Sequence, residues 1–273
     1  MIIDVNQTVS KKKNQFEIIY NGEKKYVANL PFISLNGTFD LEKLRKIVVT
    51  DLNGNIKYKT NYKYIDNKLE EFIPLKYLFS DFQKFYQLKI IDIDGKELFS
   101  VYGEMKEIWL GYHVLKVKEK FYKCYSVEDG YLRHVMIYDD DKQIAELLKS
   151  NVVIDGKDTY RIYLKDNYSF IADVISFFAL YLDRTEYNSS YLKIQSQVIE
   201  YKKSYSRVNK FYDKNWLIAN FDCQDYLDDI NKNIEETKEN IKKGGQKILK
   251  IIGISWLILI IITIIILLII LKN

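Results

Sequence analysis

Asn-Gly and Asp-Gly pairs punctuate residues 15 to 165, and they constrain the fold of this chain more than any other feature. Five that join apolar runs are Asn21-Gly22, Asn53-Gly54, Asp94-Gly95, Asp129-Gly130 and Asp155-Gly156. A type I′ hairpin turn needs positive φ at both central residues, and these dipeptides supply it at low cost. Val, Ile, Tyr and Phe flank the pairs, as strands require. Ile47-Val48-Val49 leads into Asn53-Gly54, and Ile56 and Tyr58 continue beyond it. Leu88, Ile90 and Ile91 lead into Asp94-Gly95, and Leu98 to Tyr102 return. Five hairpins at short spacing predict an antiparallel meander that curls into a barrel or sandwich to hide its edges. No βαβ alternation is present, which argues against a Rossmann or P-loop fold.

Two apolar segments follow. Phe170 to Leu182 reads FIADVISFFALYL, broken only by Asp173 and Ser176. It is too short to span a membrane comfortably, and a short helix apolar all round is normally buried in protein. The rival reading is a membrane-inserted partner for the C-terminal run; Asp173, Asp183 and Arg184 count against it. Ile251 to Leu271 carries no charge, and only Gly253, Ser255 and Thr263 interrupt its Ile/Leu run. A helix there is about 32 Å long, close to the hydrocarbon thickness of a bilayer. Trp256 sits near one end, where interfacial aromatics belong.

Lys242, Lys243, Lys247 and Lys250 precede that run, and only Lys272 follows. The positive-inside rule then keeps the N-terminal body cytoplasmic and sends the C-terminus outside, as a single-pass, tail-anchored protein of the cell membrane. The four lysines either set topology alone or also attract anionic headgroups. Met1 to Asn14 contains no apolar stretch long enough for a signal-peptide core, so no export of the body is expected.

Three stretches carry a resemblance: IIDIDGKELFSVYGE (Ile90 to Glu104), HVMIYDDDKQIAELLKS (His134 to Ser150) and DTYRIYLKDNYSFIADVISFFALYLD (Asp158 to Asp183). An aspartate-rich turn, an apolar strand and Gly, then a DDDK turn with an Ile-Ala strand, then a closing apolar helix, together resemble the tubby C-terminal-like superfamily. That superfamily includes tubby, LURP-one-related and phospholipid-scramblase proteins. The resemblance implies an antiparallel β-barrel enclosing a hydrophobic helix, and a membrane or lipid theme. It covers about residues 15 to 187. Tubby relatives bind phosphoinositides through basic barrel residues, but none of those positions aligns with a particular lysine here. Scramblase relatives imply lipid transfer and a Ca²⁺ site. Asp92, Asp94 and Asp139-Asp140-Asp141 invite that comparison, but without EF-hand spacing they read as turn carboxylates bonding their own backbone.

Residues 188 to 250 read as an amphipathic helical stalk. Tyr191, Ile194, Val198, Tyr201, Tyr205, Val208 and Tyr212 fall on one helical stripe. An aromatic patch, Asn215 to Phe221, is expected to pack on the body. Leu227, Ile230, Ile234, Thr237, Ile241 and Ile248 continue a heptad-like seam, and Gly244-Gly245 loosens the join to the membrane helix. The seam can dock on the barrel or mediate a homodimer.

Little chemistry is visible. No GxSxG, HExxH, CxxC, Walker or Rossmann pattern occurs. His113 and His134 lie in predicted strands with no recognisable nucleophile nearby. Cys124 and Cys223 make no metal motif and read as small buried side chains, fitting weakly with a reducing cytosol. A net charge of +4 gives no argument for nucleic acid. The expected architecture is therefore a mainly β, tubby-like barrel over 1–187 with its buried helix at 168–184, a stalk over 188–250 and a transmembrane helix over 251–271. The expected role is a non-enzymatic binding module for lipid headgroups or a protein partner, without catalytic, metal or cofactor residues. Scramblase-like lipid transfer is the alternative.

Overall fold

The computed structural model describes residues 1–10, 14–30, 46–61, 84–107, 110–130, 132–187, 197–199, 206–240 and 242–243. The chain divides into two compact units, Met1–Gln224 and Asp225–Asn273. In the first, twelve antiparallel strands close into a barrel in the order β1-β13-β11-β10-β9-β8-β7-β6-β5-β4-β3-β2. The N-terminal half is β1 (Ile2–Val9), β2 (Asn14–Tyr20), β3 (Glu23–Leu30), β4 (Val48–Thr50), β5 (Ile56–Asn61) and β6 (Lys84–Ile91). Then come β7 (Glu97–Glu107), β8 (Leu110–Val117), β9 (Lys120–Asp129), β10 (Leu132–Asp139), β11 (Lys142–Ser150) and β13 (Thr159–Leu164). Two short strands outside the barrel, β12 (Val152–Ile154) and β14 (Gln197–Ile199), pair with each other. β1 closes the ring, since Ile3 pairs with Tyr20 on one side and with Ile162 on the other. Closure removes the free edges that a meander of this size would expose.

The turns follow the Asx-Gly pairs, with differences of type. Asn21-Gly22 and Asp155-Gly156 have positive φ at both residues, as a type I′ turn requires. At Asn53-Gly54, Asp94-Gly95 and Asp129-Gly130 only the glycine has positive φ. Asp51 and Asp92 open the first two of these loops, and a carboxylate oxygen of each accepts backbone N–H bonds two and four residues ahead. The Asp155 turn lies outside the barrel, after β12. Two barrel hairpins instead turn at Lys118-Glu119 and Asp140-Asp141, where Lys118 and Asp140 take positive φ without any glycine. Gly22 has a φ of +83° and open space around its missing Cβ. Gly22→Ala should therefore cost about 1 kcal/mol from the backbone alone, read by urea unfolding.

The barrel is filled by its own helix. A 3-10 turn, Asp166–Ile171, caps one mouth and feeds α1 (Ala172–Glu186). The helix begins two residues after the first apolar residue of the run and continues past Leu182 to Glu186. Ile175, Phe177, Phe178, Ala179, Leu180 and Tyr181 are completely buried. They pack against inward residues of the wall such as Ile3, Phe16, Val101, Leu115, Val135 and Ile162. A helix apolar on nearly every side is stable here because the sheet surrounds it.

The stalk differs from a continuous helix. Val198 lies in β14, whose residues 197–199 pair with β12, and Val208 lies in a 3-10 turn, Ser206–Phe211. Tyr191, Ile194, Tyr201 and Tyr205 lie outside the described residues. After α2 (Trp216–Asn220), residues 224–240 form a helix, α3. Among the described residues no helix is long and apolar enough to cross a membrane; the expected span at 251–271 lies outside them, as do Gly244 and Gly245.

Candidate functional site

Three groups of side chains stand out on the first unit. The first is an aromatic clasp on the outer face of the barrel. Tyr102, Tyr112, Val114, Tyr125, Val127 and Met136 point outward from β7–β10 and form a second apolar cluster with Val208. The 3-10 turn 206–211 closes over this cluster. The Phe211 ring stacks on Tyr125 at 3.8 Å, nearly parallel. The Tyr138 hydroxyl donates to the Phe211 carbonyl at 2.9 Å. Tyr212 reaches Asp129 at 3.1 Å and His134 Nε2 at 3.3 Å, and Lys214 pairs with Asp129. This cover explains why β10 is buried on both faces, where an uncovered strand would alternate. Burial pushes the Tyr125 phenol up to about 12. Phe211→Ala removes the stacked ring and should cost about 2 kcal/mol. Hydrogen exchange would then rise first at residues 206–212, with the barrel strands still protected.

His134 belongs to this group. Its Nδ1 lies 2.6 Å from Glu146, which also accepts from Gln143 at 3.2 Å. Both ring nitrogens are engaged, one by a carboxylate and one by a tyrosine, so the imidazole is a fixed member of the clasp.

The second group lies at the C-terminal end of α1. Lys149 and Asp158 form an ion pair at 2.9 Å with side-chain exposures of 1% and 2%. The Lys149 ammonium sits 4.1 Å from the Tyr187 ring centroid. Tyr160 donates to Asp183 at 3.0 Å, and Arg133 pairs with Glu186 at 2.6 Å. His113 lies 3.6 Å from Glu186 and packs edge-on against Phe178 and Tyr181. Tyr160, Arg133 and His113 thus meet the last turn of the helix, and the Lys149–Asp158 pair meets Tyr187 just beyond it. The arrangement locks the depth and rotation of α1, because Asp183 and Glu186 meet partners fixed on the barrel wall.

Burial is the largest influence on His113 and holds its pKa below the usual 6.5; Arg133 adds to this and Glu186 opposes it. The folded protein therefore keeps His113 neutral where the unfolded chain takes up a proton. Stability should fall as pH drops below about 6.5. Urea midpoints at pH 7 and pH 5.5 test this, and His113→Phe should show the smaller fall.

The third group surrounds the N-terminal end of α1. The Tyr20 hydroxyl donates to Asp173 at 2.6 Å and lies 3.0 Å from Ser176. Tyr26, Tyr58, Phe99 and Phe177 continue inward as successive edge-to-face contacts. Asp173 in the first helical turn also favours the positive end of the helix dipole.

The lysines singled out from the sequence fall elsewhere. Lys242 and Lys243 follow α3 and are exposed, with Lys243 3.2 Å from Glu239. Lys247 and Lys250 lie outside the described residues. Both cysteines are free and buried, and burial holds the Cys124 thiol well above its ordinary range. Asp92 accepts backbone bonds of its own turn, while Asp139 accepts from Lys120 and Tyr168. The charged group at the end of α1 had no sequence signature, since Arg133 and Glu186, or Tyr160 and Asp183, are far apart along the chain.

No family model matches the chain, and no curated protein matches it. Among solved structures, one match is the X-ray structure of a protein from Arabidopsis thaliana, 13% identical. The match covers 65% of this chain and 89% of that one, with a TM-score of 0.23. A likeness that low carries no weight for the fold, which rests on the strand pairing itself.

Proposed function

We propose that this protein is a membrane-tethered, non-enzymatic binding module. Residues 251–271 anchor it in the cell membrane, and the barrel is presented to the cytoplasm, where its outer surface meets lipid headgroups or a protein partner. The observation that carries this reading is the filled interior. Seven consecutive residues of α1, Ile175 to Tyr181, have no exposed surface and occupy the space a lipid or small ligand would need. Recognition is then left to the outer face, the turns and the mouths.

A closed antiparallel barrel around an apolar helix is compatible with the tubby-like architecture that the three sequence stretches imply. Lipid transfer, the scramblase-like alternative, needs a polar path for headgroups. A charge-free single span with only Ser255 and Thr263 as polar side chains is poorly suited to provide one. Reconstitution of the full chain into vesicles with fluorescent lipid tests the choice. The expected result is lipid flipping at the rate of empty vesicles; clear acceleration would favour transfer instead.

A further inference from the structure

We infer that the barrel mouth at the N-terminal end of α1 is a bilayer-contact surface, seating apolar turn tips in the membrane interface; this rests on the tethered reading above. Antiparallel alternation places the turns 51–55, 92–96, 118–119 and 140–141 at one end of the barrel. The capping turn 166–171 is at the same end, tied there by Tyr168 to Asp139 and by the Met1 amine to Asp166. Six of the exposed large apolar side chains lie at this end: Leu52, Ile56, Ile93, Leu98, Phe121 and Phe170. Among the described residues, the other two of that kind are Ile154, at the opposite end, and Ile218 in α2.

Two neighbouring turns are built alike. DLNGN (51–55) and DIDGK (92–96) each start with an aspartate that holds the loop backbone and place a glycine at positive φ. Each directs the residue after the aspartate outward, Leu52 at 59% exposure and Ile93 at 65%. Pairing of β5 with β6 sets these turns side by side. A turn of this construction has no use for an apolar side chain at that point, and a polar one would be cheaper in water. Phe170, 71% exposed, projects from the cap at the same end.

The arrangement fits a bilayer better than a protein. Protein contacts concentrate apolar anchors in one central, dry patch. Here single apolar tips stand apart on separate turns at one end, which suits an extended interfacial layer that each tip enters alone. Charges at this end have both signs, Asp94, Asp140 and Asp141 beside Lys96, Lys118 and Lys142, so apolar insertion and not headgroup attraction is the drive. The bilayer is also within reach. Lys165, next to the cap, lies 5.3 Å from the Trp216 ring, and Tyr163 lies 5.3 Å from Phe221. The chain therefore leaves the first unit beside this mouth. With α3 helical, the stretch from there to Ile251 spans at most about 60 Å.

The test uses the full chain in zwitterionic vesicles containing a nitroxide-labelled lipid. Ile93→Cys, Phe170→Cys and, at the opposite end, Ile154→Cys each carry an environment-sensitive fluorophore; the native Cys124 and Cys223 are buried. Flotation of each labelled chain with the vesicles is measured in parallel. The expected result is quenching at positions 93 and 170 at least about threefold greater than at 154, without anionic lipid. Equal or weaker quenching at 93 and 170, in chains that still float, would overturn the inference in favour of a protein partner and leave the tether intact. Quenching that appears only with anionic lipid would overturn it in favour of headgroup attraction. Chains that fail to float would overturn the tethered reading, and this inference with it.

Discussion

Phe177→Ala should lower the stability of the barrel by about 3–5 kcal/mol. Phe177 has no exposed surface and lies at the centre of the core. Its ring meets Tyr58 at 6.0 Å and Phe99 at 5.5 Å, both edge-on. Truncation removes those contacts and leaves a cavity that a closed barrel cannot collapse to fill, because every wall strand is hydrogen-bonded on both sides. Phe170→Ala is the matched control. It deletes the same ring at the start of the same apolar run, yet at an exposed position, and should move stability by less than about 0.5 kcal/mol. Equilibrium urea unfolding of a chain ending at residue 250 keeps the whole barrel unit and gives both numbers. Equal losses at the two positions would show that the run is not buried in the barrel.

Asp158→Ala should be as damaging, by about 3–5 kcal/mol, for a different reason. Lys149 is almost wholly buried, and Asp158 supplies the carboxylate at 2.9 Å. Removing the carboxylate strands a charge in a low-dielectric site, where the Tyr160 and Tyr187 rings offset only part of the loss. The backbone link between Asp158 and Gln7 is unaffected by the substitution, so the loss reports on the charge. The double variant Lys149→Met/Asp158→Leu should recover most of the stability, since an apolar pair of similar size replaces a buried ion pair at little net cost. If the double variant is as unstable as the single one, the ion pair contributes more than charge compensation.

Local signals were legible in the sequence where the physics is local. Asn21-Gly22 specified its own turn type, and the FIADVISFFALYL run specified a buried helix because no face of it suits water. The hairpins at Lys118-Glu119 and Asp140-Asp141 lacked that signature; the flanking strand pairs fix them, and the turn residues accept positive φ as a consequence. The stalk misled for a related reason. Val198, Val208 and Tyr212 fall at helical spacing, but they are also β-branched or aromatic, and partners distant in sequence decided their state. β12 recruited Val198 into a strand, and the aromatic face of β7–β10 captured Val208 and Tyr212. The charged cluster at the end of α1 was invisible for the same cause. Only the wrapped barrel brings His113, Arg133 and Tyr160 to the last turn of a helix.

Membrane tethering depends most on the proposed anchor at 251–271. In a bacterial host, the full chain and a chain ending at residue 250 are each fractionated, and the membranes are washed with alkaline carbonate. Tethering through 251–271 predicts that the full chain stays in the membrane pellet while the shortened chain, with Lys242, Lys243, Lys247 and Lys250 retained, is recovered in the supernatant. A full-length chain released by carbonate, or a shortened chain held as firmly as the full one, would contradict it.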